Sequence, residues 1–171
     1  MTARPPYSLT PAEQARIERI DQLVVLGRAS VAELLAAAGD TSWTVRRAAV
    51  AALAALGDDA IEPMCAWLVA ERLSERAIAA VVDAVVSSVG AGANTAAIAL
   101  LAHPEPAVAA DAAAILGRRH AQEALAPLVA ALAHRDDNTA VAAIEALGTL
   151  GPTGVPAGAI EPLIADRKSV V

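Results

Sequence analysis

Residues 45–57 read VRRAAVAALAALG, and their pattern is the strongest indication of the fold. The pattern returns along the chain when Val45 is taken as an anchor. Equivalent anchors, spaced by 30 to 33 residues, are Ala15, Ile78, Val108, Thr139 and Val170. Twelve positions after the first five anchors stand Gly27, Gly57, Gly90, His120 and Gly151, so one repeat lacks the glycine. Self-similarity at this period predicts an array of stacked structural repeats.

Capping and turn residues divide each repeat into two helices. Ser30 and Glu33 form a predicted capping box at the start of a first helix that runs to about Ala38. Ser42 is predicted to cap the second helix, and Gly57 to end it in the left-handed conformation. Similar helix starts recur at residues 10–13, 74, 104–106 and 136–138. No stretch alternates apolar and polar residues with period two beside turn residues, so no sheet is predicted.

The second helices carry an apolar stripe at offsets 0, 4, 8 and 11 from the anchor. The stripe comprises Val45, Ala49, Leu53 and Leu56 in one repeat and Ile78, Val82, Val86 and Val89 in the next. Offsets 2, 6 and 10 are predicted to face outward. These positions hold Arg47, Ala51, Ala55; Ala80, Ala84, Ser88; Ala110, Ala114, Arg118; and Val141, Glu145, Thr149, with Asp83 and Asp111 beside them. A stripe of this kind is buried only when neighbouring repeats stack.

The same residues resemble the HEAT repeat family, in the short bacterial form also found in bilin lyases. The resemblance rests on residues 45–49 and 52–57 and on the Ile-Glu-Pro helix start at 61–63, which is echoed at 125–128 and 160–163. It covers roughly residues 12–171. The resemblance implies stacked antiparallel helix pairs, second helices that line a concave face, and partners that are usually proteins.

We therefore predict an all-α fold, a right-handed α-solenoid of about five HEAT-like repeats. Residues 1–9 are predicted to form an N-terminal tail, and residues 10–171 a single repeat domain. The predicted repeats span residues 10–27, 28–57, 58–90, 91–119 and 120–151, with a partial repeat at 152–171. That partial repeat stops at the first residues of a second helix, so its edge is predicted to meet a partner or a second copy of the chain. The alternative is an N-terminal fragment of a longer array.

Composition argues against several other classes of protein. The net charge is −6 and the basic residues are scattered, whereas a nucleic-acid-binding surface needs clustered lysines and arginines. The single cysteine, Cys65, excludes an internal disulfide framework and is predicted to be a small buried side chain. No charge lies between Asp83 and Glu105, but polar residues and glycines in the middle predict two helices and a turn instead of a membrane span. No secretory signal is visible, so a cytoplasmic protein is expected.

An enzyme is the main alternative to a binding protein. Deoxyhypusine hydroxylases are similar helical-repeat proteins that hold iron with His-Glu steps, but Glu follows none of His103, His120 and His134. We interpret these histidines as surface or C-capping residues, and we expect no catalytic residue, cofactor or metal. A bilin-lyase-like or other small-molecule-handling repeat protein remains the alternative function.

The leading hypothesis is a non-catalytic scaffold that binds one protein partner through the second-helix face. Its candidate contact residues are Trp43, Arg47, Asp83, Asp111, Arg118 and Glu145. Arg46 and Arg47 have two interpretations, a structural pair with the carboxylate of a turn residue such as Asp40 across the repeat, or a contact for an acidic partner. The structural interpretation is preferred for Arg46, and Arg47 is expected to face outward. Trp43 and Trp67 are predicted to pack in the seams between repeats, with a role as partner anchors as the alternative.

Overall fold

The computed structural model describes residues 9–151, which contain nine α-helices. The helices are α1 Pro11–Val24, α2 Val31–Ala38, α3 Trp43–Ala55, α4 Asp58–Ala70, α5 Glu75–Ser87, α6 Ala93–Leu100, α7 Pro106–Arg118, α8 Leu125–Ala131 and α9 Asp137–Leu150. Short 3-10 turns, Gly27–Ser30 and Gln122–Ala124, precede α2 and α8. Within this range there is no strand, and the all-α prediction is confirmed. The N-terminal tail up to residue 8, the anchor Val170, the partial repeat 152–171 and its edge lie outside the described residues.

The chain divides into two compact units, and the division falls between Gly90 and Ala91. In the first unit α3 packs against both α1 and α5, while α2 lies against α3 and α4 lies against α5. In the second unit α7 packs closely against α9, with α6 against α7 and α8 against α9. Each unit is therefore built from helix pairs whose second helices stack on one another, as in an α-solenoid.

The stripe predicted from the repeat forms the core of both units. The side chains of Val45, Ala49 and Leu53 are almost completely buried in α3. Their equivalents in α7 and α9 are buried as well; they are Val108, Ala112, Leu116, Thr139, Ala143 and Leu147. Burial of these side chains against neighbouring helices is the main source of stability for such a stack, because no single helix pair can cover its own apolar stripe.

The predicted register is wrong by one residue in α5. Ala77, Val81 and Val85 are the buried residues there, whereas Ile78 and Val86 are half-buried and Val89 is 78% exposed. The anchor of this repeat is therefore Ala77. Five consecutive apolar residues at 77–81 allow either register in the sequence, and packing against α3 and α4 selects one of them.

The first anchor, Ala15, is exposed, in contrast to Val45. Helix α1 packs only against helices that follow it in the chain, since it is the first helix among the described residues. Its buried side chains, Ile20 and Leu23, are those that face α2 and α3. The periodic pattern therefore locates this helix correctly, but its buried side is set by the neighbours it has.

The helices start at the predicted capping residues in most repeats. Thr10 makes a complete capping box with Glu13, and Ser74 and Asp136 each accept a hydrogen bond from the backbone N–H three residues on. Ser30 does not cap: it ends a 3-10 turn, and its hydroxyl donates to the carbonyl of Gly27 at 2.8 Å. The predicted box at Ser30 is therefore wrong, because the preceding turn already directs the chain into α2.

The start of α4 and the N-cap of α3 also differ from the prediction. Helix α4 begins at Asp58, so Pro63 lies inside the helix and does not start it. Ser42 does stand at the N-cap of α3, but its hydroxyl donates to Glu13 Oε1 at 2.7 Å and makes no cap bond. The turn at Gly57 starts α4 ahead of Pro63, and Glu13 of α1 supplies the acceptor for the Ser42 hydroxyl.

Backbone conformation explains the glycine at three of the repeat ends. The φ angles of Gly27, Gly57 and Gly151 are positive, but the left-handed conformation predicted for Gly57 is wrong, because its ψ of −131° lies outside the left-handed helical region. His120 occupies the same repeat position and also has a positive φ, 51°. A positive φ is thus adopted at this position even where glycine is missing.

Gly90 is required for a different reason. A Cβ atom there would lie 2.8 Å from the backbone nitrogen of Asp58 and 2.9 Å from the carbonyl carbon of Gly57. The chain after α5 passes directly over the α3–α4 turn, and Val89 N–H donates to the Ala54 carbonyl at 3.3 Å.

The uncharged stretch between Asp83 and Glu105 is divided between two helices. Helix α5 ends at Ser87 and α6 starts at Ala93, as the polar residues and glycines predicted. Across residues 9–151, none of the helices combines the length and the apolar character that a membrane crossing requires.

Candidate protein-interaction surface

Corresponding positions of the second helices form an exposed row in the first unit, which we call the second-helix face. On α3 the row holds Arg47, Ala51 and Ala55, all exposed as predicted. On α5 the one-residue shift of register places Ala79, Asp83 and Ser87 on the face. The residues predicted for α5, Ala80, Ala84 and Ser88, are buried instead. The predicted candidate Asp83 therefore lies in the row itself and not beside it.

The second unit carries the same kind of row. On α7, Ala114 and Arg118 are exposed, and Ala110 and the neighbouring Asp111 are half-buried. On α9, Val141, Glu145 and Thr149 are exposed. The structure therefore places the predicted candidates Arg118 and Glu145 on the surface of their unit, and Asp111 partly within it. What any of these residues binds stays a prediction.

Trp43 and Arg47 form a cation–π pair on the surface of α3. Trp43 is the first residue of the helix and 62% exposed, so the prediction that it packs in a seam is wrong. Arg47 lies one turn further on, with its guanidinium carbon 5.3 Å from the centroid of the indole ring. This distance is within the range of a cation–π interaction. Trp67, by contrast, is half-buried in α4.

The pairing of Trp43 with Arg47 has a signal in the sequence, since residues four apart on a helix lie on the same side. A tryptophan is usually assigned to a core. However, a residue two positions before the first buried residue of the apolar stripe lies on the opposite side of the helix, so its side chain points away from the neighbouring helix pair. The anchor Val45 does begin two residues after Trp43. This argument predicts exposure of the ring.

Ion pairs and carbonyl contacts hold several other arginines of the first unit. Arg16 pairs with Asp40 at 2.9 Å, and this is the carboxylate expected to bind Arg46. Arg46 instead donates to the carbonyls of Asp40 and Thr41, at 2.7 and 3.0 Å. One arginine thus pairs with a turn carboxylate, between α1 and the α2–α3 turn, whereas Arg46 has a structural role with different acceptors.

Two of the histidines occupy equivalent turns in the second unit. His103 Nδ1 accepts the backbone N–H of Glu105 at 3.1 Å, and His134 Nδ1 accepts that of Asp136 at 3.0 Å. Both accepting residues precede a second helix, so they do not cap C-termini as expected. An Nδ1 atom that accepts a hydrogen bond leaves the proton of a neutral imidazole on Nε2, and such a ring has no free lone pair for a metal ion.

An open cleft of about 530 Å³ lies between these two turns. Its walls are formed by residues 101–104, 106 and 134–136. No group of three or more His, Cys, Asp or Glu side chains within residues 9–151 is arranged to hold a metal ion.

The thiol of Cys65 is buried in α4, in agreement with its predicted role. Burial raises the pKa of this thiol to about 11. Because the thiolate is the reactive form of cysteine, this residue is poorly suited to nucleophilic chemistry near neutral pH.

Comparison with known protein families agrees with this architecture. The family described as HEAT repeats matches residues 94–169, and that described as HEAT repeat matches residues 31–60. The unmatched residues between them include α5, where the repeat register is irregular. No curated protein matches the chain with significant similarity. The matches do not identify the bilin-lyase form of the repeat. Together they cover more than half of the sequence, and with the stacked helix pairs they show that the chain belongs to the HEAT repeat family.

Proposed function

We propose that the chain is a non-catalytic scaffold that binds a protein partner through its second-helix face. HEAT repeats generally mediate protein–protein interaction, and proteins of this family are typically non-catalytic. The observation that carries the proposal is an exposed row that each unit presents on its own second helices, α3 and α5 in the first and α7 and α9 in the second. Surfaces built from stacked second helices are how solenoid proteins usually engage partners.

The composition of the row supports a protein as the partner. Alanines dominate the row on α3 and α7, so another polypeptide can approach the helix backbones closely. A few charged residues stand among the alanines and can select partners by charge complementarity; they are Arg47, Asp83, Arg118 and Glu145. We further propose that the protein acts in the cytoplasm and carries no cofactor, metal or nucleic acid. The bilin-lyase-like alternative would require a groove that holds a tetrapyrrole, and no particular side chains of the row favour it.

Site-specific photo-crosslinking tests this proposal. A photoreactive amino acid is placed at Ala51, which is exposed on the second-helix face of α3, and in a matched variant at Ala66, which is exposed on α4. In the cells that normally contain the protein, irradiation should give a covalent adduct with one defined protein from position 51 and not from position 66. Adducts from Ala66 alone, or from neither position, would contradict the proposed face.

A further inference from the structure

Two arginines of the first unit differ from the rest in their contacts. Arg16, Arg19 and Arg28 each form an ion pair with a carboxylate. Arg46 and Arg72 donate to backbone carbonyls. Within residues 9–151, the indole of Trp43 is the only charged, polar or aromatic group that Arg47 contacts. Arg76 contacts no charged, polar or aromatic group in the same range. Both side chains are exposed.

These two arginines lie at the same end of two adjacent helices. Helices α3 and α5 pack against each other, and the turn that precedes α3 lies against the first turn of α5. A Cβ atom at Gly39 would be 3.6 Å from the Cβ of Ala77. Arg76 directly precedes Ala77, and Trp43 and Arg47 occupy the first two turns of α3. We call Trp43, Arg47 and Arg76 the cationic corner.

The cation–π contact leaves Arg47 able to bind a carboxylate. Its guanidinium carbon lies 5.3 Å from the ring centroid, and no hydrogen bond or ion pair within residues 9–151 occupies its N–H donors. Two of these donors match the two oxygens of a carboxylate. The ring of Trp43 also restricts the arginine side chain before a partner arrives, so less conformational entropy is lost on binding.

No carboxylate within residues 9–151 forms an ion pair with either arginine of the corner. The carboxylate of Glu13, on the preceding helix, accepts hydrogen bonds from Thr10 and Ser42. Glu75 is next to Arg76 in the chain, but no ion pair joins them. Two cations and an exposed tryptophan are thus present at the same end of two packed helices, on a protein whose net charge is −6.

From this arrangement we infer that the cationic corner binds an acidic segment of a protein partner. Carboxylates of the segment pair with Arg47 and Arg76, and an apolar side chain of the segment packs on the exposed part of the Trp43 ring. The inference rests on the proposed function, since it specifies the chemistry of the partner on the same second-helix face. Exposed tryptophan and arginine are also the residue types that dominate the energy of protein interfaces.

Tryptophan fluorescence provides the test. In a Trp67→Phe background Trp43 is the only tryptophan, and the probe is a short synthetic peptide of repeated Glu-Glu-Leu. The peptide should change the emission of Trp43 saturably, and the affinity should fall as salt is added. Arg47→Gln should weaken binding by at least about fivefold, because a charge-assisted bidentate contact is lost. Arg135→Gln is the matched control, with the same change of charge on an exposed side chain of the second unit, and should bind like the parent.

Three results would overturn the inference. One is the absence of saturable binding, and another is equal binding by the Arg47→Gln and Arg135→Gln variants. The third is binding of single-stranded oligothymidine that depends on Arg47 and is tighter than binding of the peptide. This result would assign the corner to nucleic acid. If the peptide fails while crosslinking from Ala51 persists, the acidic partner is rejected and the scaffold is retained. If crosslinking fails while the peptide binds, the corner is retained and the extended face is rejected.

Discussion

The carboxylate of Glu13 connects two repeats through three hydrogen bonds. Its Oε2 accepts from the backbone N–H of Thr10 at 2.7 Å and from the Thr10 hydroxyl at 2.8 Å, and its Oε1 accepts from the Ser42 hydroxyl at 2.7 Å. One residue thereby closes the first turn of α1 and contacts the N-cap of α3. These bonds, the backbone bond first, lower the pKa of Glu13 to about 2 from the usual 4.5.

Replacement of Glu13 by glutamine should make stability less dependent on pH. Because the pKa is lower in the folded chain, the carboxylate stabilises the fold above about pH 4.5, and this contribution is lost as the pH falls toward 2. In urea denaturation the difference in unfolding free energy between wild type and Glu13→Gln should shrink across that interval. Glu18→Gln, on the same helix but outside the capping box, serves as the control. A difference that stays constant from pH 6 to pH 2 would show that Glu13 acts without its charge.

His120 carries the strain that glycine avoids at residues 27, 57 and 151. Its φ is 51°, and its Nδ1 lies 3.2 Å from the carbonyl oxygen of Thr149. His120→Gly and His120→Ala both remove this contact, so the pair isolates the backbone effect. We expect the glycine variant to be more stable than the alanine variant by about 1 kcal/mol, since a side chain is disfavoured at positive φ. Equal midpoints in thermal or urea unfolding would contradict this explanation.

At the scale of elements, α7 and α9 approach each other closely. A Cβ atom at Gly117 would lie 2.7 Å from Cα and 2.9 Å from Cβ of Ala146. The Thr149 hydroxyl lies 2.9 Å from the carbonyl oxygen of Gly117 and 2.7 Å from that of Ala146, so its one proton is shared between an acceptor on α7 and one on its own helix. At the other end of the same helix pair, the buried Thr139 hydroxyl donates to the carbonyl of Pro106 at 3.0 Å. Small residues and two threonines thus set the distance between these helices.

Alanine substitution at two glycines should separate packing from helix propensity. Gly117→Ala forces α7 and α9 apart and should destabilise the chain by about 1–3 kcal/mol, the usual range for overpacking. Gly148→Ala is the matched variant, because a Cβ atom there meets nothing within 4 Å. It should stabilise the chain by up to about 1 kcal/mol through helix propensity alone. Urea denaturation measures both, and shifts of the same sign would refute the close approach.

At the scale of the whole molecule, each unit has its own core of buried aliphatic side chains. In the first unit the largest are Leu34, Leu53, Met64 and Leu68, and in the second they are Ile115, Leu116 and Leu128. Alanines fill most of the remaining space, so stability depends on many small contacts between neighbouring helices. In an array of this kind, the opening of one repeat exposes the next.

The thiol of Cys65 reports such opening in the first unit. Because its pKa is raised to about 11, its reaction with a thiol reagent at pH 8 should be at least about a hundredfold slower than in the urea-unfolded chain. Leu53→Ala removes a buried side chain of α3 and should accelerate labelling, since core truncations of this type cost about 2–5 kcal/mol. Labelling of the native protein at the unfolded rate would show that Cys65 is not protected by the fold.

The fold class, the number of helices per repeat and most of the helix starts could be predicted from the amino-acid pattern. The reason is that these features depend on local order: the recurrence of the 45–57 pattern, the capping residues Thr10, Ser74 and Asp136, and the glycine position that ends each repeat. The exposure of Arg47, Arg118 and Glu145 followed from the same periodicity.

Features that depend on neighbouring helices could not be predicted in this way. Packing against α3 and α4 chose the register of α5 and moved Asp83 into the exposed row, and the approach of Glu13 redirected the Ser42 hydroxyl away from its own helix. A periodic sequence specifies which side chains share a face, but burial is a property of the space between helices, and that space exists only once they have packed.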